Sequence, residues 1–248
     1  MKRILTLLLT GLMTLGVAAQ SDRRVQYKPY IDLRPLHLGI LVGTHLQDLE
    51  LENVGPYTMT DDEGNVTEQY ILCDADKWNP GFSVGVLAEL RLNKNFALRF
   101  TTTMHFGAKH LTFVNQLQKD AQGRPIQQTQ DMKSTYVSLP LNIKFAAPRW
   151  NNHRPYIMAG INPMINLTGG DQDMLRIKKY DTMVEVGLGC DFYLPFFKLI
   201  PELKFCFGLG NVLDKNHVNE LRDANLRAYA GCVSSAQSKM FVLTFYFE

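Results

Sequence analysis

Cysteine, net charge and long apolar runs are all scarce in this 248-residue sequence, and each scarcity excludes something. Four cysteines stand at positions 73, 190, 206 and 232. Their spacings match no C-x-x-C or zinc pattern, so the sequence supports no metal site and no cofactor. The acidic stretches Asp61-Asp62-Glu63 and DADKWNP (74–80) do not match a calcium loop. The formal charge is +2, and without Lys2 and Arg3 it falls to 24 bases against 24 acids. A neutral chain has no basic stripe for nucleic acid. After residue 17 no apolar run reaches the roughly 18 residues that a membrane helix requires. No repeat divides the chain, and no motif points to a small-molecule substrate.

What is present begins with MKRILTLLLTGLMTLGVAAQ. Two bases, an apolar run and small residues before Gln20 form the layout of a secretory signal peptide, cut after Ala19. The expected organisation is a signal peptide at 1–19, a short polar lead-in at 20–35, mobile and periplasmic, and one β domain at 36–248. No cysteine follows the apolar run, so a lipoprotein anchor is not expected.

The rest of the chain alternates with a period of two, the signature of strands. In 81–106 (GFSVGVLAELRLNKNFALRFTTTMHF) one row carries Phe82, Val84, Val86, Ala88, Leu90 and Leu92, then Phe96, Leu98, Phe100, Met104 and Phe106. Asn93-Lys94-Asn95 supplies the turn between them. Similar rows recur near 36–47, 134–146, 155–167, 181–194, 198–209 and 241–247. Eight antiparallel strands are expected, with short turns near 93–95, 147–154 and 195–197. Long polar loops are expected near 48–80, 114–133, 168–180 and 210–237. That asymmetry is the layout of an up-and-down transmembrane β-barrel of the outer membrane. Pro140, Pro163 and Pro201 lie inside strands, where each should mark a bulge, a strand end or an unpaired position, a bulge first of all, because proline cannot donate to a ladder.

Alternation alone does not say which row faces inward, since a soluble sandwich or lipocalin-like barrel also alternates. Three features favour apolar residues facing lipid. The charged row is rich in glycine and small residues, the apolar row is bulky on nearly every strand, and aromatics gather near strand ends. Phe96, Trp150, Tyr156, Phe192, Phe196 and Phe197 mark one end, and Trp78, Phe82, Phe106 and Phe113 the other. Lipid is therefore an expected partner. Glu89, Arg91, Arg99, Lys144, Glu185, Asp191, Glu202 and Lys204 are then expected inside, where an eight-stranded barrel holds little but side chains and charges must pair. A proton or ion path is the functional alternative to that structural network.

The stretches RPLHLGILVGTHL (35–46), NPGFSVGVLAELRLNKNFALRF (79–100) and YVSLPLNIKFAAPRWNNHRPYIMAGIN (136–162) resemble the PorT family. Its members are outer-membrane barrels of the Bacteroidetes associated with type IX secretion. The most specific piece is the turn from Arg149 to Tyr156. The resemblance implies a part in exporting cargo that bears a C-terminal secretion domain, with proteins of that apparatus as partners. Glu248 after Phe247 departs from the aromatic residue on which outer-membrane barrels commonly end.

Catalysis by His105 or His110 with Ser134, at the loop end, is the enzymatic alternative. No motif places an acid to orient either histidine, so a non-enzyme is expected. His37 and His45 fall on the polar row and are expected as interior packing; His153 and His217 are expected in solvent. Closure of the last strand on the first brings the loops of Cys73 and Cys232 together, predicting a disulfide. Cys190 and Cys206 occupy opposite rows and are not expected to pair. Patchy helical spacing over 211–228 predicts a short surface helix.

Overall fold

A computed structural model describes residues 25–60, 64, 66–168, 174–221 and 223–248. The expected signal peptide and Asp61-Asp62-Glu63 lie outside them. Twelve strands follow in order: β1 (Leu36–Asn53), β2 (Tyr57–Thr60), β3 (Val66–Gln69), β4 (Ile71–Lys77), β5 (Pro80–Arg91), β6 (Phe96–Lys119), β7 (Pro125–Ser138), β8 (Leu141–Ala146), β9 (His153–Asn166), β10 (Tyr180–Tyr193), β11 (Lys198–Gly208) and β12 (Val233–Phe247). Helices at His217–Glu220 and Ala224–Gly231 lie between the last two.

Ten strands form one antiparallel sheet that closes on itself, because β9 pairs with β10 and β12 pairs with β1. The expected count of eight needs correction. β7 and β8 share one place between β6 and β9, and β4 adds to β6 above the ring. The break between β7 and β8 falls at Leu139-Pro140. Pro163 of β9 faces that gap, where its carbonyl accepts from Leu139 N (3.0 Å) and its missing N–H interrupts little. The bulges expected at Pro163 and Pro201 are absent: β9–β10 runs through Thr182↔Pro163, and β11–β12 through Pro201↔Phe245, without a shift. The β10–β11 ladder skips Cys190 and Asp191 and resumes in the same register.

The rows point as membrane burial demands. Outward residues such as Ile40 and Leu188 are 59% and 55% exposed, while Arg99 and Glu185, on inward rows, are 0% exposed. On β1 the outward apolar row runs from Leu36 to Leu46, about 34 Å of strand at ~3.4 Å per residue. At a tilt of ~45° that is about 24 Å of height, matching the ~25 Å apolar band of such barrels. Aromatic contacts fringe the band: Phe96–Phe145 and Phe197–Phe247 at the short-turn end, Trp78–Phe241 at the other. Two of the residues expected in these fringes point inward instead. Tyr156 enters the bore, and Phe113 enters a core above the membrane band.

Above that band the polarity inverts. β1 continues with Asp48, Glu50 and Glu52 outside and Leu49 and Leu51 inside; β6 turns Leu111 and Phe113 inward. Ile71, Cys73, Met132, Leu213, Tyr229 and Cys232 join them in one apolar core, as a water-soluble domain would have. The segments 48–80 and 114–133, expected as loops, are mostly strands of this cap. Their apolar residues sit on the parity opposite to the membrane segment, so a single-phase reading ends each strand too early.

Candidate functional site

The bore is filled in layers. At its centre the Arg99 guanidinium donates to Glu89 from Nε (2.9 Å) and Nη2 (2.7 Å), to Glu202, and to the Tyr156 hydroxyl (3.3 Å). The Tyr156 and Tyr246 rings flank it, with centroids 5.1 and 5.0 Å from Cζ. Both tyrosine hydroxyls donate to Glu202, at 2.5 and 2.7 Å. Lys144 Nζ lies 2.9 Å from Asp191 and 3.4 Å from Glu89. Lys204 stands 3.9 Å from Glu202, and Glu185 accepts from Asn142 and from Asn162 (3.1 Å).

Seven of the eight expected charges are thus buried together, and Arg91 is not among them. It lies at the short-turn mouth, where its guanidinium donates to the carbonyls of Leu33 and Asn93 (both 3.3 Å), because it ends the strand rather than occupying its middle. Sequence reasoning missed Lys198 and Glu248 as members, while His37, expected as interior packing, is buried beside them. Lys198 bridges Glu248 (3.0 Å) and Asp191 (3.5 Å), and His37 pairs with Glu248. Strand parity was the available signal: Lys198 shares the inward row with Glu202 and Lys204, and Glu248 follows that of Thr244 and Tyr246. Glu248 is a working part of the closed end.

Higher in the bore one hydrogen-bond chain crosses the lumen. Gln47 contacts His45 Nε2 (3.0 Å), His45 Nδ1 contacts Ser83 (2.8 Å), Ser83 contacts His105 Nδ1 (2.8 Å), and His105 Nε2 contacts Ser138 (3.0 Å). The Gln47 amide nitrogen only donates, so His45 Nε2 accepts and its Nδ1–H donates to Ser83. Ser83 then donates to His105, His105 to Ser138, and Ser138 to the Thr103 carbonyl (3.4 Å). Every member is satisfied with both imidazoles neutral. Gly81 makes the chain possible, since a Cβ there would stand 2.2 Å from His45 Nε2.

Of His105 and His110, the one that has an acid lacks this company. His110 lies outside on the cap, its Nδ1 2.5 Å from Asp131 and its Nε2 3.3 Å from Lys77. Ser134 instead donates to Gln47 inside. The arrangement therefore separates acid–histidine from histidine–serine. His153 is exposed as expected, whereas His217 is buried in the cap.

The short-turn end is closed by residues 25–34, expected to be mobile and found tied down. Arg149 donates to the carbonyls of Lys28 (3.2 Å) and Tyr27 (2.5 Å) and stacks 3.6 Å over the Tyr193 ring. Asn152 exchanges hydrogen bonds with Val25 and Tyr27 (both 3.0 Å), and Asp32 accepts from Tyr193 (2.7 Å). The turn that carries the family resemblance is the clamp for this strap. Asn151 turns it with φ 51°, a left-handed conformation that asparagine tolerates better than most.

At the other end, Arg176 joins Asp214 (2.8 Å) and Glu220 (2.7 Å), tying the 174–178 segment to the helical loop. These hydrogen bonds hold the Asp214 and Glu220 carboxyls below the usual range. Beside them a pocket of about 290 Å³ opens between Val54, Leu175, Leu213 and Gly231.

A family model described as outer membrane protein beta-barrel domain matches residues 18–214. The chain belongs to that family, and it is an outer-membrane β-barrel protein. Solved structures with a similar arrangement include OprG from Pseudomonas aeruginosa, at 11% identity and TM-score 0.41 over 85% of this chain and 93% of that one. Neisserial surface protein A matches at 12% and 0.39 (86% and 98%). The attachment invasion locus protein Ail of Yersinia pestis matches at 11% and 0.36 (85% and 96%). No curated protein sequence matches the chain.

Proposed function

We propose that this protein is a non-enzymatic component or assembly factor of type IX secretion, needed for export of cargo with a C-terminal secretion domain. It works by contact with partner proteins rather than as the conduit. The observation that carries this reading is the filled bore. Arg99, Lys144, Lys198 and their carboxylates occupy the lumen, the strap covers one end and an apolar core the other. A folded cargo needs a passage far wider than an eight-place ring provides. The resemblance at 136–162 supplies the pathway, and the strap clamped by Arg149 and Asn152 gives its most specific residues a periplasmic surface to build.

Deleting the gene and measuring export of cargo carrying a C-terminal secretion domain tests the pathway; abolished export is expected, and normal export ends the secretion reading. Purified protein in planar bilayers tests the mode of action, with nanosiemens conductance contradicting it. The second reading is a general outer-membrane barrel, structural or adhesive through its outer loops. The cap favours it, because those loops carry a folded apolar core. Normal export together with lost surface attachment would select that reading.

A further inference from the structure

The cap holds two buried thiols that neither reading above uses. Cys73 of β4 and Cys232, between the helix at Ala224–Gly231 and β12, lie in the same apolar core, 2% and 0% exposed. The Cys232 thiol donates to the Tyr229 carbonyl (3.0 Å), and the neighbouring Cys232 together with burial holds the Cys73 thiol above its ordinary range. The end of β1 holds both backbones. Asn53 donates from Nδ2 to the Cys73 carbonyl (3.1 Å) and accepts from Cys73 N (2.8 Å), and Val54 N donates to the Cys232 carbonyl (2.9 Å). Both are free thiols in this structure. The other two cysteines are placed apart from them and from each other. Cys190 lies on the lipid-facing row, and Cys206 faces the bore with its thiol 3.7 Å from Glu185.

We propose that Cys73 and Cys232 are an oxidation site: in the outer membrane they are joined as a disulfide that fastens β4 to the root of β12 and locks the cap. Disulfides form and persist outside the reducing cytoplasm. β4 pairs along one edge, with β6, so this link adds a second anchor across the end of β1. The oxidant is a protein disulfide of the cell envelope. One cysteine thiolate attacks it to form a mixed disulfide, and the second displaces the reduced carrier. The two thiols lose two protons and two electrons, and the carrier disulfide becomes a dithiol. Burial dictates the timing. An oxidant reaches these sulfurs only before the cap core closes, and the closed core then shields the bond from reductant.

The test is the alkylation state of protein purified from membranes without reductant and denatured in N-ethylmaleimide. Two adducts, on Cys190 and Cys206, are expected, rising to four after prior reduction. Four adducts without reduction would overturn the pairing. The locking role is read from trypsin cleavage at Lys77 and Lys215 in folded protein. Cleavage at least tenfold faster in Cys73→Ser/Cys232→Ser than in the native protein is expected, and equal rates would overturn it. Heat-modifiable gel mobility reports whether the variant barrel folds, and dithiothreitol treatment of the native protein in urea, followed by refolding, repeats the comparison without substitution.

Discussion

Replacing Arg99 by methionine removes the centre of the lower bore while keeping its length and apolar stem. Four polar contacts vanish, to Glu89 twice, Glu202 and Tyr156, together with the two ring contacts. Two carboxylates would be left in a site sealed from water. Breaking a buried ion pair from one side costs about 3–5 kcal/mol. Here Glu89 retains Lys144 at 3.4 Å, and Glu202 retains two tyrosine hydroxyls and Lys204. The lower figure, about 3 kcal/mol, therefore applies, a factor of about a hundred in the folding equilibrium. The assay is urea unfolding of refolded protein in detergent micelles, followed by the shift in heat-modifiable gel mobility. Removing the orphaned charges as well, in Arg99→Met/Glu89→Gln/Glu202→Gln, returns more than half of the loss, because the penalty belongs to unpaired charge rather than to missing attraction. A single variant within about 0.5 kcal/mol of the native protein would refute the reasoning, since only a water-filled bore would screen two carboxylates so well.

Three further outcomes follow from the same geometry. Gly81→Ala forces a Cβ against His45 and destabilises the barrel by about 2 kcal/mol, as overpacking does; adding His45→Ala makes the combined loss smaller than the sum in the same unfolding assay. Arg149→Ala frees the strap, so protease cleaves residues 25–34 at least tenfold faster while the urea midpoint of the barrel barely moves. The Arg176 clasp is pH-dependent with a fixed sign. The Asp214 carboxyl is held below its ordinary value of about 3.9 by its hydrogen bonds from Arg176, so its contribution is present above that value and is lost as pH falls through the lowered one. Pepsin cleavage within 210–232 should accelerate below about pH 4; Asp214→Asn should weaken the dependence, and adding Glu220→Gln should remove the rest of it.

The membrane segment of the barrel was legible because alternation and polarity agree there. Phe82, Val84 and Val86 face lipid, Ser83 and Glu89 face the bore, and no other arrangement hides the charges. The cap was not legible for a physical reason. Where lipid gives way to water the outward row changes from Leu46 to Asp48 and the inward row from Gln47 to Leu49, so one continuous strand reads as a strand followed by a polar loop. The charged row could be drawn up by parity, but only the fold shows that Arg91 stands at its end and that Lys198 and Glu248 complete it. The strap was illegible because residues 25–34 carry no periodicity; their order comes from partners more than a hundred residues away, at Arg149 and Asn152.

The central claim is that the apolar rows meet lipid while the charged rows are sealed inside. Replacing Trp78 and Trp150 by phenylalanine and placing a single tryptophan at Leu188, midway along an outward row, allows a direct reading. In bilayers containing brominated acyl chains, fluorescence from that position should be strongly quenched by the lipid and insensitive to acrylamide in the water. Quenching by acrylamide and not by brominated lipid would contradict the orientation on which every other conclusion rests.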